Sequence, residues 1–152
     1  MTYDELVTNI RNYTEVDSNV FSNSVIDTFI TTAENKILRD IDLDVFKKES
    51  SGTLTDGNRF LASPSDILTH RYMFITVGTE RVYLDFRDTS FMKEYWANPT
   101  NKSVPKYYSV WDENTFYIAP TPDSNYAVQL GYIYRPTQLS STNTTTWIST
   151  NS

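Results

Sequence analysis

Cysteine is absent from the 152-residue chain. That excludes disulfide scaffolds, Cys-ligated zinc and thiol nucleophiles, and leaves the redox compartment open. A single histidine, His70, rules out a three-His metal site or a His pair within one copy. Only 4 glycines are present, too few to expect a phosphate-cradling loop, and no GxSxG, Walker, GxGxxG or HExxH pattern occurs. No apolar run approaches the roughly 20 residues that span a bilayer. The first residues, Met1-Thr2-Tyr3-Asp4-Glu5, are acidic and lack the basic start of a secretory signal. Bases are also short: 13 Lys+Arg face 19 Asp+Glu, a net charge of −6, which argues against nucleic-acid wrapping because phosphate affinity comes from Lys and Arg. Aromatics, by contrast, are plentiful, with 11 Tyr, 8 Phe and 3 Trp. Lean aliphatics with abundant Tyr suit a sheet-bearing protein with large polar-rimmed contact surfaces.

Periodicity organises the chain. Thr2 and Glu5 stand at capping-box spacing, and Tyr3, Leu6, Val7 and Ile10 follow at helical spacing, which predicts a helix from Tyr3 to about Asn12. A second helix is predicted from Asn23 to about Ile41, capped by Ser22 or Ser24. Its apolar positions step by threes and fours, and Ile26, Phe29, Ile30, Ala33, Ile37 and Ile41 are expected to face a sheet or a partner helix. If the Phe29 ring is fully buried there, Phe29→Ala should cost about 3–5 kcal/mol.

Near Asp42 the period changes from 3.6 to 2. Asp56-Gly57 is a hairpin signal, and β-prone runs recur at Arg71 to Val77 and Arg81 to Phe86, joined through Gly78-Thr79. Ser90 to Trp96 reads as a short helix, stopped by Asn98-Pro99. Three further strands, Tyr107 to Trp111, Thr115 to Ile118 and Tyr126 to Tyr134, have short connections that predict an antiparallel meander. Gly131 within the last of them marks a bulge or a close approach. The expected fold is α+β: two N-terminal helices packed with an antiparallel sheet or small barrel, a short helix near residues 90–96 and an extended C-terminal tail. It is read as one domain over residues 1–152, with a helical part (1–42), a β part (43–136) and the tail (137–152).

Residues 1–49 hold ten acids and five bases, so the helical part carries −5 of the net −6. Residues 137–152 carry no charge and offer only Leu139, Trp147 and Ile148 as anchors. Chemistry-bearing patterns are thin. Asp40, Asp42 and Asp44 alternate like part of a calcium loop, but the required glycine and terminal glutamate are replaced by Val45 and Ser51. Glu94, Asp112 and Glu113 lie near Trp96 and Trp111, as a glycosidase pair would. The run Tyr107, Tyr108, Trp111, Phe116, Tyr117 fits a sugar-stacking platform or cross-strand pairs of a sheet.

Several phrases carry a resemblance. They are Phe29-Ile30-Thr31-Thr32-Ala33-Glu34-Asn35-Lys36-Ile37-Leu38-Arg39-Asp40-Ile41, the Pro64-Ser65-Asp66 break, Pro105-Lys106-Tyr107-Tyr108, and Phe116-Tyr117-Ile118-Ala119-Pro120-Thr121-Pro122. Tyr132-Ile133-Tyr134-Arg135-Pro136-Thr137-Gln138-Leu139-Ser140 and Thr146-Trp147-Ile148-Ser149-Thr150-Asn151 complete the set. Their order and spacing resemble the tailed-phage head-to-tail adaptors, or connectors, which include the tail tubular protein A group. Members of that family continue past the last phrase into C-terminal helices that have no counterpart through Ser152. The resemblance implies a structural, non-enzymatic virion protein of the neck and tail region, made in the host cytoplasm and needing no cofactor or metal. It implies a dodecameric ring that contacts the portal and the tail or nozzle protein, with DNA passing through its channel without specific binding and no membrane involved. Asp4, Glu5, Asp27, Lys36 and Arg39 are then expected to alternate across subunit contacts. Leu139, Trp147 and Ile148 should dock the tail, with Trp147 and Ile148 anchoring it on the portal or a neighbouring subunit. A carbohydrate- or receptor-binding β-module and a virion-associated wall-degrading enzyme are the alternatives.

Overall fold

The computed structural model describes residues 1–41 and 44–151. In chain order the elements are α1 (Tyr3–Thr14), α2 (Asn23–Asp40), a 3-10 turn (Asp44–Phe46), β1 (Lys47–Leu54), β2 (Phe60–Ala62), β3 (Ile67–Val77), β4 (Glu80–Phe86) and α3 (Thr89–Tyr95). Then come β5 (Lys102–Ser103), β6 (Tyr107–Asp112), β7 (Thr115–Ala119), β8 (Thr121–Pro122), β9 (Tyr126–Tyr134) and α4 (Trp147–Asn151). The chain divides into two compact units, Met1–Leu43 with Arg135–Ser152, and Asp44–Tyr134.

In the helical unit, α1 starts at the expected capping box. The Glu5 amide donates to Thr2 Oγ1 at 3.3 Å and the Thr2 amide to Glu5 Oε2 at 2.8 Å. The helix ends where Glu15 turns left-handed, with φ 54°. Tyr3 and Val7 pack with Ile26, Ile30 and Leu139 in one apolar cluster. The anticipated stripe of α2 is only partly buried. Ile26 and Ile30 are inside, but Phe29 is 55 % exposed, and Ala33 and Ile41 are also exposed. The stripe is wider than the face that α1 covers, so the i, i+4 ridge through Ile26 and Ile30 is buried and the neighbouring ridge is not. The large loss expected for Phe29→Ala therefore does not apply.

The tail differs from the extended form expected of it. Leu139 is 4 % exposed, and residues from Trp147 to Asn151 form a short helix. Its backbone is held by α1: the Tyr3 amide donates to the Thr144 carbonyl at 2.9 Å, and the Met1 ammonium to the Ser149 carbonyl at 2.8 Å. These bonds order a segment with little apolar content.

The β unit is a seven-stranded sheet in the order β1-β9-β3-β4-β6-β7-β2. Its pairs are antiparallel except the two-residue β4–β6 pair, which is parallel, as is the separate β5–β8 pair. Two expectations are corrected. The Asp56-Gly57 turn forms, with Gly57 at φ 75°, but its flanking strands do not pair with each other: β1 pairs with β9 and β2 with β7. The final meander stops at β6–β7, because β9 crosses over to lie between β1 and β3. A nine-residue strand that is buried along most of its length belongs in the middle of a sheet, not at its edge.

Met73, Ile75, Tyr108, Ile118, Val128 and Leu130 are among the residues that fill the core. On the outside of β6 and β7, α3 inserts Met92 against Tyr117 and Ala119. Asp88 caps this helix by accepting the Ser90 amide at 2.8 Å.

Asp66 ties β1 and β9 together. Its carboxylate accepts Lys48 Nζ at 2.8 Å and the Tyr132 hydroxyl at 2.9 Å. The Lys48 bond, assisted by Tyr132, holds the Asp66 carboxyl below the usual carboxylate range. A depressed folded-state pKa contributes stability that is present above the unfolded value, about pH 4, and is lost as pH falls through the folded one. The stability difference between wild type and Asp66→Asn is therefore expected to shrink below about pH 4. Melting curves of both proteins from pH 7 to acid would test it, and a difference that widened in acid would contradict it.

Candidate functional site: an apolar groove on the helical unit

The ridge of α2 that α1 leaves open becomes one wall of a groove of about 310 Å³. Phe29, Ala33 and Ile37 form that wall, Leu6 and Ile10 of α1 the other, and Ile148 and Met1 close one end. The walls are apolar because helical spacing brings i, i+4 and i+8 positions of α2 onto one line. Phe29 is propped by an edge-to-face contact with Phe21, with ring centroids 6.0 Å apart.

A buried carboxylate stands under this surface. Glu34 is 7 % exposed, and its carboxylate accepts the Leu139 amide at 3.0 Å and the Thr146 hydroxyl at 3.4 Å. Beside it, Gln138 Nε2 donates to Asn35 Oδ1 at 2.9 Å. The glutamate thus clamps residues 138–146 along α2, and that clamp places Leu139 and Ile148 beside the groove. Sequence reading did not single out Glu34. Its signal was position: a lone carboxylate four residues after Ile30 and eight after Ile26, on the stripe that becomes buried.

A family model of SU10 adaptor proteins matches residues 1–152. The chain belongs to that family. It is accordingly a phage structural adaptor, associated with other head and tail components in the neck and tail region of the virion. No curated protein matches the chain.

The interface candidates of this adaptor occupy distinct positions. Asp4, Lys36 and Arg39 are exposed, and Arg39 Nε lies 3.4 Å from Asp40 of its own helix. Glu5 closes the α1 capping box, where the Thr2 bonds hold its carboxyl below the usual range. Asp27 accepts the Tyr3 hydroxyl at 2.6 Å, and that bond, with burial, pushes Tyr3 up to about 12. Leu139 is buried within the helical unit, Ile148 is half-buried, and Trp147 is 43 % exposed.

Asp40 sits by Arg39 and Asp44 pairs with Lys47 at 3.0 Å, while Asp42 lies outside the described residues. Glu94, Asp112 and Glu113 are exposed, and the Asp112 carboxylate accepts the Asn114 amide of its own turn. Of the aromatic run, Tyr108, Phe116 and Tyr117 are buried. The Trp111 ring is stacked on Tyr117 and has Lys93 Nζ 4.9 Å from its centroid. His70 is half-buried against Phe86, with Nδ1 3.1 Å from the Tyr108 hydroxyl, and burial pushes its pKa down. Among the described residues no helix is long and apolar enough to cross a membrane.

Proposed function

We infer that the chain is one subunit of a closed ring, dodecameric by its resemblance to the tail tubular protein A group, standing between the portal and the tail or nozzle protein around the DNA exit channel. Membership of the adaptor family supports the role. The observation that carries the ring is the open ridge of α2: a long amphipathic helix leaves Phe29 and Ala33 exposed and Ile37 half-buried in the single chain. Apolar surface of this kind, rimmed by charge, marks a contact between proteins. In a cyclic ring the contact is heterologous. Lys36 and Arg39 of one copy then meet acids such as Asp4 of the next, and the surplus acid lines the channel, where it repels phosphate. Trp147, exposed at the start of α4, is the anchor offered to the portal. Leu139 serves the fold of its own subunit.

Phe29→Asp tests this reading. Because the ring is more than half exposed, the isolated chain should melt close to wild type, with a loss of at most about 1 kcal/mol from the Phe21 contact. Assembly with the portal, followed by particle imaging or sedimentation, should fall at least about ten-fold, as for a central interface aromatic. Rings of Phe29→Asp that form as readily as wild type would remove α2 from the interface.

A further inference from the structure

A ring contact needs two different surfaces on every copy, one to receive and one to be received. The groove on the helical unit is the receiving one. At about 310 Å³ it stands at the bottom of the size range of small-molecule sites, about 300–1,000 Å³, which is room for one or two inserted side chains. Its complement has to project, to be apolar and to be uncovered in the single chain. The corner between α1 and α2 has these properties. Tyr13 is 93 % exposed and Val20 71 %, more than any other large hydrophobic residue among those described.

Three observations tie this corner to the groove. First, the corner is held in shape although its side chains reach into solvent. The Asp17 carbonyl accepts the Val20 and Phe21 amides at 3.3 and 3.0 Å, and the Asp17 carboxylate accepts the Asn19 amide at 2.8 Å. Arg11 Nη2 braces the far side by donating to Asn23 Oδ1. A tip that is ordered before contact loses little freedom on insertion. Secondly, the charges match. Between Asn12 and Ser22 the chain carries Glu15 and Asp17 and no base. Lys36 stands on α2 seven residues after Phe29, two turns along the same face and at the flank of the groove. Among the described residues Glu15, Asp17 and Lys36 are without an ion-pair partner, so each keeps its charge for a neighbour. Thirdly, exposed aromatics of the β unit are already engaged with other rings. Tyr83 lies against Phe74 and Tyr72, Phe91 stacks on Tyr95, and Trp111 stacks on Tyr117. Tyr13, almost wholly exposed, has no such neighbour among the described residues.

We propose that the α1–α2 corner of one copy inserts Tyr13 and Val20 into the groove of the next copy, with Glu15 and Asp17 set against Lys36. The proposal rests on the ring reading and names what fills the groove: a second copy of this chain, through one defined segment. Tyr13 supplies a large ring of few rotamers for the apolar walls at Phe29, Ala33 and Ile37, and a hydroxyl for the wet rim. Val20 adds a compact apolar group beside it. The acids flanking both residues meet the one α2 cation that no acid of its own copy holds. Because the contact runs head to tail, a row of copies leaves one corner and one groove empty at its ends, and only closure of the ring fills every one.

The absence of cysteine makes thiol cross-linking a clean test. Chains carrying only Val20→Cys and chains carrying only Ala33→Cys are mixed, assembled with the portal and treated with a short bis-maleimide. The mixture should give at least ten-fold more covalent dimer than either variant assembled alone. Both positions are exposed, so both variants should melt close to wild type. In a second arm, Lys36→Glu should lower assembly at least ten-fold at low salt, and Glu15→Lys added to the same chain should restore it. Rings that form without cross-linking in the mixture overturn the insertion and leave the ring reading standing. Equal cross-linking within a single variant means that like surfaces meet, and overturns it too. If no ring forms with the unaltered chain, the ring reading falls and the insertion with it. Should a cysteine variant fail to fold, the charge reversal decides: assembly of Lys36→Glu at the wild-type level, or no recovery with Glu15→Lys, overturns the proposal.

Discussion

Glu34→Ala is expected to destabilise the helical unit by about 2–4 kcal/mol and to release residues 138–146 from α2. The carboxylate is buried, and it is the acceptor for the Leu139 amide, a donor from a segment 105 residues away in sequence. Removing it leaves a backbone N–H without a partner in an apolar surround. That costs more than the net worth of the bond, because the donor has already lost its water. The Thr146 hydroxyl loses an acceptor at the same time. Leu139, whose burial with Tyr3, Val7, Ile26 and Ile30 depends on this placement, then loses part of its contact. Glu34→Gln keeps an amide oxygen where the carboxylate oxygen was, so it should cost clearly less. Melting midpoints together with exchange of the Leu139 amide would show both effects. An amide as protected in Glu34→Ala as in wild type would mean that the clamp is not what holds the segment. Because the same clamp positions residues that line the groove, assembly into the proposed ring should weaken along with the fold.

A second large effect is expected at Gly131, where valine should cost about 2–4 kcal/mol. Gly131 lies on β9 opposite Glu49 of β1 and Tyr72 of β3. The Tyr72 ring lies across the glycine from one neighbouring strand to the other, and its hydroxyl donates to Glu49. A Cβ on Gly131 would overlap the far atoms of that ring. The ring has an escape, since Tyr72 is partly exposed, so the backbone can hold while the ring swings out. The cost is then the lost cover over β9, the Glu49 bond and the contacts with Phe74 and Tyr83. The same reasoning makes the effect conditional. In a Tyr72→Ala background Gly131→Ala should be close to neutral, so a double-mutant cycle should show coupling above about 1 kcal/mol. Additive losses would place the cost in the backbone of β9 and not in the ring.

Local features of the sequence were enough for much of the fold. Thr2 and Glu5 marked the start of α1, because a capping box is built within four residues. The spacing of Ile26 and Ile30 gave α2, and the Gly78-Thr79 punctuation gave the β3–β4 hairpin, for the same reason: each signal and its consequence lie within one turn of chain. The close approach at Gly131 was also foreseeable from a glycine in the middle of a strand pattern, although the partner, Tyr72, was not. Membership of a phage adaptor family, too, was legible in the order of phrases along the chain, and the match to the SU10 adaptor proteins over residues 1–152 bears out that much.

What tertiary structure alone decided is which surface of each element is covered. Periodicity showed that α2 has a broad apolar stripe, but α1 and residues from Leu139 onward selected the ridge to bury and left Phe29 outside. Asp56-Gly57 specified a turn, yet the strands it joins found partners elsewhere: β1 pairs with β9 over eight positions and β2 with β7 over three. Composition made the uncharged tail look unable to order itself, yet residues 137–151 are ordered. Their order comes from the burial of Leu139 together with polar bonds to Glu34, Met1 and Tyr3, which no count of apolar residues registers. In each case the sequence determined a local conformation through interactions a few residues apart. The groove arises from contacts between segments distant in the chain, whose free energy depends on which neighbour arrives.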